Sequence, residues 1–220
     1  MKKSLLTGIL LLSIIFIGQG YAQRIQGALS AGVNITQVDG DDIYGFKHYG
    51  LNIGPSVLIP FTKSKKWDVQ LELLYSQVGS YEKYAPVDTL PRPYYHLNLD
   101  YVQIPVIVHF TDKNVVSGGL GISYGQLVNV KEWEHDSLTI NSLQSPYKKY
   151  DLDVIADVKI KLWQRLWFNF RYSYSMLKIR TRVFLTGETR YQYNNDLTFR
   201  LTYVFNQEII HKKQTKPKGH

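Results

Sequence analysis

A two-residue alternation of apolar and polar side chains recurs in stretch after stretch of this chain. In 67–78, Trp67, Val69, Leu71, Leu73 and Tyr75 interleave with Asp68, Gln70, Glu72 and Ser76. In 148–162, Tyr150, Leu152, Val154, Ala156, Val158, Ile160 and Leu162 interleave with Asp151, Asp153, Asp157, Lys159 and Lys161. The runs 166–178 and 193–205 set Phe168, Phe170, Tyr172, Phe199, Leu201 and Tyr203 against Asn169, Arg171, Ser173, Thr198, Arg200 and Thr202. Successive side chains of a β-strand point to opposite faces, so this period belongs to strands with one apolar and one polar face and excludes helix.

Read this way, the chain has eight strands, at 26–35, 49–61, 67–78, 96–110, 115–129, 148–162, 166–178 and 193–205. The connections alternate in length. Those at 62–66, 111–114 and 163–165 are short, and those at 36–48, 79–95, 130–147 and 179–192 are long. Tight turns at one end and extended loops at the other fit an eight-stranded antiparallel up-and-down transmembrane β-barrel. An even strand number puts both mature termini on the short-turn side, which in a cell outer membrane is the periplasm.

Alternation does not say which face is buried. A soluble barrel turns its apolar face inward, whereas a membrane barrel turns it to lipid. Three features favour the second arrangement. Aromatics such as Trp67 and Tyr75 sit near the strand ends of the apolar face, the positions of an interfacial girdle. The polar face mixes charges with Gly119, Gly121 and Ser123, small enough for the narrow interior of an eight-stranded barrel. A closed sheet also satisfies its own backbone in lipid. The expected interior is a polar network of Asp68, Glu72, Gln103, Asp153, Asp157, Lys159, Lys161, Arg171 and Arg200. Buried charges must pair, so this network is expected to plug the barrel and leave no open channel.

The two ends are read separately. Lys2 and Lys3 precede an apolar run at 5–17, and Gly20 and Ala22 place small residues before Gln23. This is the pattern of a secretory signal over 1–22. The barrel then occupies 23–205, and 206–220 forms a basic, disordered tail with four lysines against Glu208. The formal charge of +8 therefore overstates the body, which holds 20 basic and 17 acidic residues. That balance gives no footprint for nucleic acid. There is no cysteine, which excludes disulfides and thiolate metal sites. The chain is rich in aromatics, with 17 tyrosines and nine phenylalanines, as β structure and membrane interfaces favour.

The stretch Tyr101-Val102-Gln103-Ile104-Pro105-Val106-Ile107-Val108-His109-Phe110 resembles the Tyr-Leu-Glu-Ile-Pro-Leu-Leu-Leu-Lys-Tyr strand of PorT-like outer-membrane β-barrel proteins. Ala31-Gly32-Val33-Asn34, Gly50-Leu51-Asn52-Ile53-Gly54 and Gly118-Gly119-Leu120-Gly121 are similar to that family's first, second and fifth strands. Gln103 and His109 stand where the family often has Glu and Lys. The resemblance spans 26–205 and implies an integral outer-membrane protein. A few family members resemble components of a secretion pathway. Family members use an aromatic at the end of the last strand as an address for barrel insertion; here Phe205 closes that strand and 15 residues follow it. Pro105 lies mid-strand, where it removes a ladder donor, and is expected at a bulge or an unpaired position.

No catalytic constellation emerges, and no cofactor or metal is expected. His48, His96 and His135 fall in or beside the long connections, with Ser80, Asp88, Asp100 and Ser137 as conceivable partners, but no spacing joins them into a nucleophile and base. Asp39-Gly40-Asp41-Asp42 lacks the spaced ligands and closing Glu of a calcium loop and reads as a turn. Tyr81, Tyr84, Tyr94 and Tyr95, with Pro86, Pro91 and Pro93, give the second long connection a stiff aromatic character suited to a protein partner. The expected role is non-enzymatic: structural, adhesive or accessory to secretion. Outer-membrane lipid is the expected surrounding, and a narrow pore or a rim-sited lipid-modifying enzyme are the alternatives.

Overall fold

The computed structural model describes residues 25–62, 64–83, 95–134, 137–141, 146–183 and 187–205. The expected signal at 1–22 and tail at 206–220 lie outside them, as do Tyr84, Tyr94 and His135. Eleven strands form one antiparallel sheet. They are β1 (Gln26–Asp39), β2 (His48–Pro60), β3 (Trp67–Glu72), β4 (Leu74–Glu82), β5 (Tyr95–Asp112), β6 (Val116–Glu134), β7 (Ser137–Ile140), β8 (Tyr150–Lys161), β9 (Leu166–Ser175), β10 (Arg180–Val183) and β11 (Thr189–Val204). β1 pairs with both β2 and β11. Followed away from β1, the neighbours are β2, then β3 and β4, then β5, β6, β8, β9 and β11, which returns to β1. β7 and β10 are short additions beside β6 and β11.

The two faces have opposite chemistry. Leu71 is 41% and Val154 is 42% exposed on the outside, together with Leu29, Val33, Val106, Val108, Ile122 and Leu201. The inside buries Ser30, Asn34, Asn52, Gln70, Glu72, Asp157, Asn169, Arg171, Thr198 and Arg200. Apolar outside and polar inside is the sidedness of a sheet solvated by lipid.

Two departures from the expected strands have local causes. The run 67–78 is interrupted at Leu73, between β3 and β4. The register places Pro55 of β2 beside Leu73, whose amide donates to the Pro55 carbonyl at 3.0 Å. On the other side Val106 faces Leu71 and Gln103 faces Leu74, so Pro105 faces Glu72. Both flanking strands thus lack an N–H at this level, and the ladder lapses. Toward β6 the register runs through Pro105 unbroken, opposite Ser123; the bulge in that pairing lies instead at Asp100/Tyr101.

That bulge inserts Val128 into β6 and reverses its phase. Below it Ser117, Ser123, Gly125 and Leu127 face inward, and above it Val130 and Glu132 do. β6 continues to Glu134, and β1, β4 and β11 also reach beyond their expected ends. Much of what reads as long connection is therefore strand. Inside this upper part lies an apolar cluster of Val38, Val78, Leu97, Leu99, Leu127, Val130 and Ile179, with Tyr95, Tyr101 and Tyr147. At the opposite end the β5–β6 turn is made by Lys113 and Asn114 at φ 47° and 55°. Two positive φ values in succession match the twist of the strands that such a turn joins.

Candidate functional site

The inner face brings its charges together near mid-height. Glu72 at the end of β3 accepts from Arg171 Nη1 at 2.8 Å and Nη2 at 3.1 Å. Arg200 of β11 approaches the same carboxylate with Nη1 and Nη2, each at 3.2 Å. Arg171 Nε donates to Asp157 Oδ1 at 2.7 Å. Asp157 Oδ2 also accepts from Asn169 Nδ2 at 2.8 Å and meets His109 Nε2 at 2.9 Å. Arg200 Nε donates to Asn169 Oδ1 at 2.9 Å. Two guanidiniums and two carboxylates thus form a compact network inside the sheet, with every member buried. Forked, charge-assisted contacts of this kind fix geometry as well as sign.

One glycine makes the network possible. Gly119 of β6 lies in register with His109 of β5 on one side and Asp157 of β8 on the other. His109 therefore reaches Asp157 across an intervening strand. A Cβ on Gly119 would stand 2.3 Å from His109 Cδ2, so no other residue fits without moving the ring.

The remaining expected site residues are dispersed along the interior. Lys159 is buried and donates to Gln70 Oε1 at 2.7 Å. Gln70 in turn donates to Glu72 at 2.6 Å. Asp68 lies 3.6 Å from His109 Nδ1 on the short-turn side. Lys161 is only half-buried, with its ammonium 5.4 Å from the Trp167 ring, so it belongs to the mouth and not to the plug. Gln103 reaches Asp153 at 3.3 Å, and Asp151 accepts from Ser175 at 2.6 Å and from Asn194 at 2.8 Å. Asp153 is therefore part of a separate carboxylate layer, above the ion pairs. His109, Gln70, Asn169, Asn52 and Asn34 complete the polar interior. Their signal was their position on the same alternating face, which carries no weight for an uncharged side chain.

The loop end holds a second set of charges. Arg180 Nη1 donates to Glu132 at 2.9 Å and to the Tyr147 hydroxyl at 2.7 Å, and Arg182 Nη2 donates to Glu134 at 2.6 Å. Tyr95 also donates to Glu132, at 2.9 Å, and is buried; its expected place on a partner-contact loop gives way to an interior one. Tyr81 packs edge-on against His96, which stacks on Trp133. His48 meets Thr36 Oγ1 at 3.0 Å and Asn98 Oδ1 at 2.5 Å. Asp41, in the β1–β2 connection, accepts from the Ile43 amide at 2.9 Å, and burial raises its pKa to about 6.

A sheet returning on itself, greasy outside and ionic within, defines a membrane β-barrel. The comparisons give that class a family. A model described as outer membrane protein beta-barrel domain matches residues 19–180, and the chain belongs to that family. No curated protein matches it. Among solved structures it is similar to Ail, the attachment invasion locus protein of Yersinia pestis, at 15% identity and a TM-score of 0.48, over 82% of this chain and 98% of that one. It is also similar to Neisserial surface protein A, at 13% identity and a TM-score of 0.47, over 82% and 96%. OprG from Pseudomonas aeruginosa is similar at 13% identity and a TM-score of 0.38, over 82% and 95%.

Proposed function

We propose that this chain is a closed, sealed outer-membrane barrel with a non-enzymatic role. Eight strands span the membrane, with β3 and β4 counting as one and with β7 and β10 as additions at the loop end. Its surrounding is outer-membrane lipid, and its role is structural, adhesive or accessory to secretion as in PorT-like proteins. Residues 1–22 direct export, 206–220 form a basic tail, and both mature ends lie in the periplasm. The loop end, with Tyr81 and the connection that follows it, is the surface for a protein partner. The observation that carries the reading is the sidedness: Leu71 and Val154 face outward while Glu72, Asp157, Arg171 and Arg200 are buried inside.

The sealed interior rests on two layers. The ion pairs occupy mid-height, and the apolar cluster around Leu97, Leu99 and Val130 occupies the loop end. The test uses purified protein in detergent. It should be β-rich, migrate faster on gels unheated than boiled, and give no steady conductance in planar bilayers. Solubility without detergent would reject the membrane assignment, and a stable ohmic conductance would reject the seal.

A further inference from the structure

The short-turn end contains a cavity of about 830 Å³ that the ion-pair network does not use. Its lining includes Lys65, Lys113, Lys159 and Lys161, against Asp68 as the one acidic residue among the described lining residues. The lysines come from three places: the β2–β3 connection, the β5–β6 turn and the end of β8. The turn geometry matters here, because the positive φ values at Lys65 and Lys113 belong to the turns that carry both residues to the mouth. At the floor, Lys159 is 5% exposed and its ammonium donates to Gln70, while the near oxygen of Asp68 accepts no hydrogen bond. One wall is apolar, built from Leu58, Trp167 and Val204.

A polar floor, an excess of ammonium groups and one greasy wall together describe a site for an anion with an organic part. Among the described lining residues the cations are all lysine. Lysine supplies compact point charges suited to phosphate, whereas arginine supplies the planar fork that matches a carboxylate. The volume lies within the ordinary range of organic-ligand sites and exceeds what a bare oxyanion fills. We infer that the short-turn mouth, around Lys113, Lys159 and Lys161, is a binding site for a phosphate ester whose organic part lies against Trp167. The ester is either a soluble metabolite or the head group of an anionic phospholipid at the rim. This goes beyond the proposed function and does not depend on which side of the membrane the mouth faces.

Trp163 and Trp167 line the cavity, and Lys161 lies over Trp167, so occupancy is read by tryptophan fluorescence. The folded full chain is titrated in neutral detergent with phenyl phosphate, and separately with phosphatidylglycerol-doped micelles against phosphatidylcholine-doped ones. K113Q/K161Q leaves the buried network intact and should weaken the response at least about tenfold, or 1.4 kcal/mol. K178Q, whose lysine lies over Tyr191 at the loop end, should stay within about twofold of the parent. Saturation by phenyl phosphate, weakened in K113Q/K161Q, supports the site with a soluble ligand. A response to phosphatidylglycerol alone, lost in K113Q/K161Q, supports it with a lipid head group. No saturable response to either probe, or one unchanged in K113Q/K161Q, overturns it. Unheated gel mobility of the same samples reports the barrel separately, so a failed site and a failed membrane assignment remain distinguishable.

Discussion

Arg171 and Glu72 stand 99 positions apart in the chain and meet as a fork, with two N–H groups of one guanidinium on the two oxygens of one carboxylate. β9 and β3 are not neighbours in the sheet, so this contact crosses the interior. Removing Glu72 takes one carboxylate from both Arg171 and Arg200 and leaves Asp157 alone to balance two buried guanidiniums. Breaking one member of a buried pair costs about 3–5 kcal/mol, so Glu72→Ala should lose that much in urea unfolding in detergent. A loss below about 1 kcal/mol would mean that water reaches these guanidiniums freely.

The outer face has its own test. Ile122 and Leu120 lie outward on β6 in the lower, apolar-sided part of the sheet. Ile122→Arg should destabilise the lipid-embedded protein by about 2–4 kcal/mol, whereas Trp163→Arg at the short-turn rim should cost about 0–1 kcal/mol. Unfolding titrations in lipid vesicles compare the two. Equal and negligible costs would show that Ile122 meets water.

Gly119 and Gly118 make a paired experiment on adjacent residues. Gly119→Ala would push a methyl into the His109 ring, whereas a Cβ on Gly118 meets nothing within 4 Å. Overpacking of this kind costs about 1–3 kcal/mol, so Gly119→Ala should be destabilised by that amount and Gly118→Ala should be neutral or slightly more stable. The His109 ring resonances should shift in the first variant only.

Asp41 predicts a pH dependence at the loop end. Burial raises its pKa from 3.8 to about 6, so between those values the folded loop keeps a proton that the unfolded chain has lost. Stability from this group is complete below the lower value, falls as pH rises through the window, and is level above it. At 1.36 kcal/mol per unit the span is about 3 kcal/mol. Hydrogen exchange at the Ile43 amide should quicken from pH 4 to pH 7, after correction for intrinsic rates, and Asp41→Asn should flatten that trend.

The sequence carried the class and the strand positions because alternation survives wherever one face is mainly polar, as in β8 and β9, whose inner faces are broken by Ile155 and Trp167 alone. It failed where both faces are apolar. In the lower half of β5, Ile107 points inward between Val106 and Val108, so its phase is unreadable. The apolar cluster inside the loop end escaped for a different reason, because the apolar and polar faces exchange sides there: Leu97 and Leu99 point inward while His96 and Asn98 do not. Leu97 and Leu99 share the inward phase of Ile107 and His109 along β5, whereas Val130 turns inward only because of the bulge on β6. The break at Leu73 was written in Pro55 and Pro105, but joining them to Glu72 requires the register of three strands. Among the site residues, the charges of the central network were legible by sign and period. The pairing of His109 with Asp157 was not, since it depends on a side chain that Gly119 does not have.

The inserted Val128 has a consequence for where the bilayer ends. Below it, β6 shows Leu120, Ile122 and Tyr124 to the outside; above it, the outward position passes to Lys131, and Val130 turns in. One strand therefore exchanges its solvents along its length, hydrocarbon below and water above. The extra residue thus marks the level at which the outer face of this strand gives up its run of apolar side chains.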